Sequence, residues 1–150
     1  MDTQTPTLAS ALELATHPNS IPLARQFAVT TLRQWRTPEA VIETSRLLVS
    51  ELATNTLPRG RRYEATPATY RSQDGVGYFL LRLKCRAGWL YISVRDGDPN
   101  PPVLQRPAAT SESGRGLLLV SELSRRWGFD FDGPYKTVWC QVSCATAIAM

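Results

Sequence analysis

Glu51 and Asn55 are four residues apart, so a helix running through them stacks the carboxylate and the carboxamide on one face. Leu48 and Leu52 lie on that same side. Polar groups beside an apolar stripe need partners. The pair either marks the margin of a solvated face or lines a polar site. Asp96 stands where an apolar run ends, in Val94-Arg95-Asp96-Gly97-Asp98-Pro99. Asp-Gly and Asp-Pro are turn formers, and a carboxylate at a strand end can also accept a hydrogen bond from an exocyclic amine in a pocket. In Ser113-Gly114-Arg115-Gly116-Leu117, two glycines open a helix after a long loop. Glycine lets a phosphate approach the backbone, and the free N–H groups of a first helical turn attract anions. No Gly-Lys-Ser/Thr follows and no strand directly precedes, so neither a Walker A loop nor a dinucleotide fingerprint is present.

The elements that must position these residues are legible from periodicity. Residues 8–16 alternate weakly, as an edge strand does. His17-Pro18-Asn19-Ser20 reads as a turn feeding a helix, with Asn19 or Ser20 as cap and Pro22 in the first turn. Ala24, Phe27, Ala28, Leu32 and Trp35 then recur at helical spacing. Thr37-Pro38-Glu39 starts a second helix with a hydroxyl cap, and its stripe is Val41, Ser45, Leu48, Leu52 and Asn55. Pro58 and Gly60 are expected to end it. A polar connection fills 59–77. Strands are expected over 78–85 and 89–95, joined at Ala87-Gly88. Residues 96–113 form a long loop, and 114–126 read as a helix. A last hairpin over 127–131 and 137–142 turns at Asp132-Gly133-Pro134.

Helices and antiparallel strand pairs alternate without βαβ units. The expected architecture is a two-layer α/β sandwich of α+β type, one mixed, mostly antiparallel sheet covered on one face by three helices. At 150 residues, with 43% hydrophobic and 20% charged residues, the chain is one domain with a real core. Residues 1–7 read as a loose tail. No apolar run approaches the length that spans a bilayer, and no signal peptide is apparent, so a cytoplasmic protein without membrane contact is expected. The single histidine excludes an imidazole metal site, and Cys85, Cys140 and Cys144 read as small buried apolar residues. A net charge of +4 suits an anionic ligand. The cluster of Arg59, Arg61 and Arg62 reads as a solvated loop rather than a nucleic-acid patch.

Leu47-Leu48-Val49-Ser50-Glu51-Leu52-Ala53-Thr54-Asn55, the stretch from Ser113 to Val120, and Lys136-Thr137-Val138-Trp139 together resemble the GHKL superfamily of histidine-kinase-like ATP-binding domains. Among these, the chain is similar to the short actinobacterial proteins of the anti-sigma-factor serine kinase group. The resemblance covers residues 10–142. It implies a GHKL fold, ATP and Mg²⁺ as cofactors, and residues 98–113 as the ATP lid. It also implies that Asn55 holds Mg²⁺, that Glu51 is the catalytic base, and that Asp96 reads the adenine amine. Thr137 would support Asp96. Gly114 and Gly116 would present N–H groups to the phosphates, with Arg115 as counter-charge.

The activity implied is an ATP-dependent serine/threonine protein kinase in transcriptional regulation. Its protein partners would be a sigma factor or an anti-sigma antagonist, with no direct contact to nucleic acid and with a homodimer left open. The alternative is a non-catalytic GHKL-fold module that binds a protein with weak or no nucleotide turnover.

Overall fold

A computed structural model of the chain describes residues 6–57, 77–98, 102 and 116–144. The elements run β1 (Leu8–Ala15), α1 (Ser20–Gln34), α2 (Glu39–Thr54), β2 (Tyr78–Arg86), β3 (Trp89–Asp96), α3 (Gly116–Leu123), β4 (Arg126–Asp132) and β5 (Tyr135–Ser143). The strands make one five-stranded sheet in the order β1-β2-β3-β5-β4, with every pairing antiparallel. The two-layer α+β architecture expected from the element order is present, and β1 lies at an edge as expected.

Alternation assigns each strand residue to a face. Phe79, Leu81 and Leu83 on β2 are buried, as are Leu90, Ile92 and Val94 on β3 and Val138, Cys140 and Val142 on β5. All of these point to the side that carries the helices. They meet Ala24, Ala28 and Leu32 of α1 and Leu48, Val49, Leu52 and Ala53 of α2. Burying one Leu or Phe of this set contributes about 1.5–3 kcal/mol. The helices pack as a layer: α2 lies against α1, α3, β3 and β5, and α1 lies against β1. Among the described residues, no helix is long and apolar enough to cross a membrane.

Both expected helix caps take a different form. Asn19 is the N-cap of α1 but makes no side-chain cap bond. Instead its amide donates to Nδ1 of His17 at 3.0 Å, and the His17 and Pro18 carbonyls accept from Ser20 and Ile21. In α2 the cap is Pro38 rather than Thr37, and the Pro38 carbonyl receives the amides of Val41 and Ile42. Helix α2 ends at Thr54, ahead of Pro58 and Gly60, which lie outside the described residues. The buried Thr56 hydroxyl donates to the Ala53 carbonyl at 2.7 Å and closes that end.

Helix α3 stops at Leu123, not at 126. The Ser124 hydroxyl takes the Val120 carbonyl, and the Arg125 amide already pairs with the Gln141 carbonyl of β5. The last hairpin is tighter than expected. Strands β4 and β5 reach Asp132 and Tyr135, and Gly133 turns the chain at φ 61. The β2–β3 turn runs through Ala87 at φ 53 and Gly88 at φ 82, the positive pair that a two-residue hairpin requires.

Candidate functional site

Asp96 is the last residue of β3, and it continues the buried phase of Leu90, Ile92 and Val94. The strand therefore carries its carboxylate onto the helix-covered side, where the residue is 3% exposed. Oδ1 accepts the Asp98 amide at 3.0 Å, a local turn of the kind aspartate favours. Directly across the ladder stands Lys136 of β5. Its ammonium is 3.9 Å from Asp96 Oδ1 and 3.5 Å from Asp98 Oδ2. Burial pushes the Asp96 acid up to about 6; the Lys136 charge and the Asp98 amide pull it down, and the Asp98 charge adds a smaller rise. The desolvation of the carboxylate outweighs its partners.

Thr137, the residue expected to support Asp96, is paired with Arg95. In an antiparallel ladder, opposed residues share a face and neighbours along a strand do not. Thr137 thus lies on the sheet face opposite to Asp96, and Lys136 occupies the position beside the carboxylate. The Arg95 guanidinium on that other face stacks 4.0 Å over the Tyr135 ring. Sequence reasoning missed Lys136, because apolar residues fall on both phases of its strand and alternation gave no signal.

Next to Lys136 on β4 is Phe131, with Phe129 two residues earlier on the same face. The two rings meet edge-on at 6.0 Å and stay 50% and 39% exposed. They present an apolar rim beside the ion cluster at the edge of the sheet.

Glu51 and Asn55 close α2. Asn55 is the C-cap with helical φ −66 and ψ −16, and its amide donates to the Glu51 carbonyl at 3.0 Å. The one-turn stacking inferred from their spacing therefore holds, with both residues half-buried. Gly116 is the first residue of α3. Gly114, Arg115 and nearly all of the expected lid lie outside the described residues.

The described residues include no group of three or more His, Cys, Asp or Glu able to hold a metal ion. A single amide oxygen from Asn55 fits Mg²⁺ only as an ion that takes its other oxygens from phosphate and water. An open groove of about 480 Å³ between β1 and α1, lined by Leu12, Leu14, Leu23 and Phe27, contains none of the candidate residues.

A model of the histidine kinase-like ATPase domain matches residues 14–141. An uncharacterised protein of Streptomyces coelicolor is 42% identical over 57 residues, which is 37% of this chain and 54% of that protein. The chain thus spans about half the length of that relative. The crystal structure of the RsbU and RsbW domains of Rv1364c from Mycobacterium tuberculosis superposes with a TM-score of 0.63 at 15% identity. That match covers 92% of this chain and 33% of the other, and it is a likeness of fold. Because the family model runs from the end of β1 into β5 and takes in Glu51, Asn55, Asp96 and Lys136, the chain belongs to the histidine kinase-like ATPase domain family.

Proposed function

We propose that this domain binds ATP with Mg²⁺ and acts in the cytoplasm as an anti-sigma-factor-type serine/threonine protein kinase, phosphorylating an anti-sigma antagonist in the control of transcription. Membership of the ATPase-domain family supports the nucleotide. The observation that carries the reading is the Asp96 carboxylate, held by β3 and the Asp98 amide in a site withdrawn from water. A carboxylate there accepts the adenine amine, and low water access strengthens that contact. Asn55 would hold the metal ion, which neutralises phosphate charge when bound. Glu51, one turn earlier, would take the proton of the attacking hydroxyl. The backbone N–H groups of Gly114 and Gly116, with Arg115 as counter-charge, would receive the phosphates.

One observation favours a second reading, a protein-binding module with little turnover. The Lys136 ammonium already stands beside Asp96, where an adenine amine would have to compete with it.

The experiment separates the steps. Asp96→Asn should weaken ATP binding about tenfold or more, the expected loss of a hydrogen bond to a charged acceptor. Asn55→Ala should damage Mg²⁺-dependent binding and phosphotransfer together. Glu51→Ala should keep binding and lose about 10²–10⁴ in phosphotransfer. ATP binding without transfer to any antagonist would select the module. No binding in calorimetry would remove the kinase and leave a module that works without nucleotide.

A further inference from the structure

Cys85 and Cys144 are 59 residues apart in the chain, yet their sulfur atoms are 3.4 Å apart. The sheet causes this approach. Cys85 lies near the end of β2 in the phase of Leu81 and Leu83, on the helix-covered face. Cys144 follows β5, and its amide donates to the Gly88 carbonyl at 2.7 Å, at the turn between β2 and β3. The chain leaving β5 is thus drawn over the end of β3 until the two thiols touch. Both are free and half-buried against the core, whereas Cys140 is fully buried. Of the three cysteines expected to be buried, Cys140 is fully so and Cys85 and Cys144 are partly so.

We propose that Cys85 and Cys144 are a modification site, a dithiol that a two-electron oxidant of the hydroperoxide class converts into an intrachain disulfide. The sulfur atoms must close by only about 1.4 Å to reach bonding distance. Burial, and then the hydrogen bond and charge of Cys85, raise the Cys144 thiol above its usual range. Attack by one sulfur on the hydroperoxide breaks its O–O bond, leaving that cysteine as a sulfenic acid and releasing an alcohol, or water from hydrogen peroxide. The other sulfur, already in contact, then displaces water as the S–S bond forms. Two thiols and one hydroperoxide give one disulfide, one alcohol and one water, and a thiol reductant reverses the change.

The bridge would close a loop that contains β3, α3, β4 and β5, and hence Asp96 and Lys136. Cross-linking a loop of that length removes freedom from the unfolded chain. Oxidation should therefore raise Tm by roughly 5–10 °C, and dithiothreitol should restore the starting value.

The test treats the full chain with stoichiometric hydrogen peroxide. Thiols are then counted in denaturant, and the peptides are mapped without reduction. The expected result is a fall from three free thiols to one, a Cys85–Cys144 peptide lighter by two hydrogens, and no disulfide between chains. Cys85→Ser and Cys144→Ser should each abolish the linked peptide and the Tm rise. Three thiols remaining, loss of the Cys140 thiol, or disulfide-linked dimers would each overturn the assignment.

Discussion

Lys136 stands directly opposite Asp96 in the β3–β5 ladder, with Nζ 3.9 Å from Oδ1 and side-chain exposures of 1% and 2%. Two charges withdrawn this far from water depend on each other. The balance between them sets both the pH response and the stability of this end of the sheet.

The first consequence is a proton-linked one. The Asp96 acid is raised from 3.8 to about 6 in the folded state, chiefly by burial. An acid raised on folding holds its proton more tightly in the native state, so its contribution to stability is complete below 3.8 and is lost as pH rises through about 6. The shift corresponds to about 3 kcal/mol. Denaturant melts between pH 4 and 7 should show this component in the parent, and it should vanish in Asp96→Asn. The same proton competes with an adenine amine. Adenosine, which lacks the titrating phosphates of ATP, should bind more weakly as pH falls below 6.

Replacing Lys136 by Met leaves Asp96 and Asp98 facing each other without the ammonium. Removing one member of a buried pair typically costs about 3–5 kcal/mol, so Tm at pH 8 should fall by roughly 6–20 °C. At pH 5, where Asp96 is mostly protonated, the fall should be smaller. The Asp96 carboxyl, followed by carbon-detected NMR, should titrate above its parent midpoint. An equal loss at both pH values would mean that Lys136 acts by packing alone.

Gly128 of β4 lies opposite Trp139 of β5, and a Cβ there would meet the indole Cζ2 at 2.8 Å. Gly128→Ala should destabilise by about 1–3 kcal/mol, the range of an overpacked contact. Adding Trp139→Val should remove most of that penalty relative to Trp139→Val alone. A double-mutant cycle by denaturant melt checks this, and zero coupling would place the strain elsewhere.

Ser45 is fully buried in α2, and its hydroxyl has no hydrogen-bond partner among the described residues. An unmet buried hydroxyl costs about 1–3 kcal/mol, and alanine is also the better helix former. Ser45→Ala should therefore stabilise by about 1 kcal/mol, read as a higher denaturation midpoint with an unchanged slope.

The helical stripes of α1 and α2, the edge position of β1 and the hairpin at Ala87–Gly88 were legible because each is a local pattern. The glutamate–asparagine turn was legible for the same reason. The partner of Asp96 was not. In Lys136-Thr137-Val138-Trp139-Cys140-Gln141-Val142, apolar residues fall on both phases, so alternation alone does not say which side faces the helices. Packing decides it: Gly128 leaves room for the Trp139 ring on the outer face, and Val138, Cys140 and Val142 fill the core. The thiol pair was hidden for another reason. Cys85 and Cys144 meet across the end of β3, a relation between strands that no spacing encodes.

The two hairpins at Ala87–Gly88 and Gly133–Pro134 close over two-residue turns. By contrast, β1 joins β2 only after α1, α2 and the connection beyond them. Forming that edge requires closure of the longest loop between any two paired strands, which makes β1–β2 the pairing with the largest closure entropy. The same asymmetry should govern the reverse process: amide exchange is expected to be fastest in the strand from Leu8 to Ala15 and slowest in the middle of β3, which is paired on both sides.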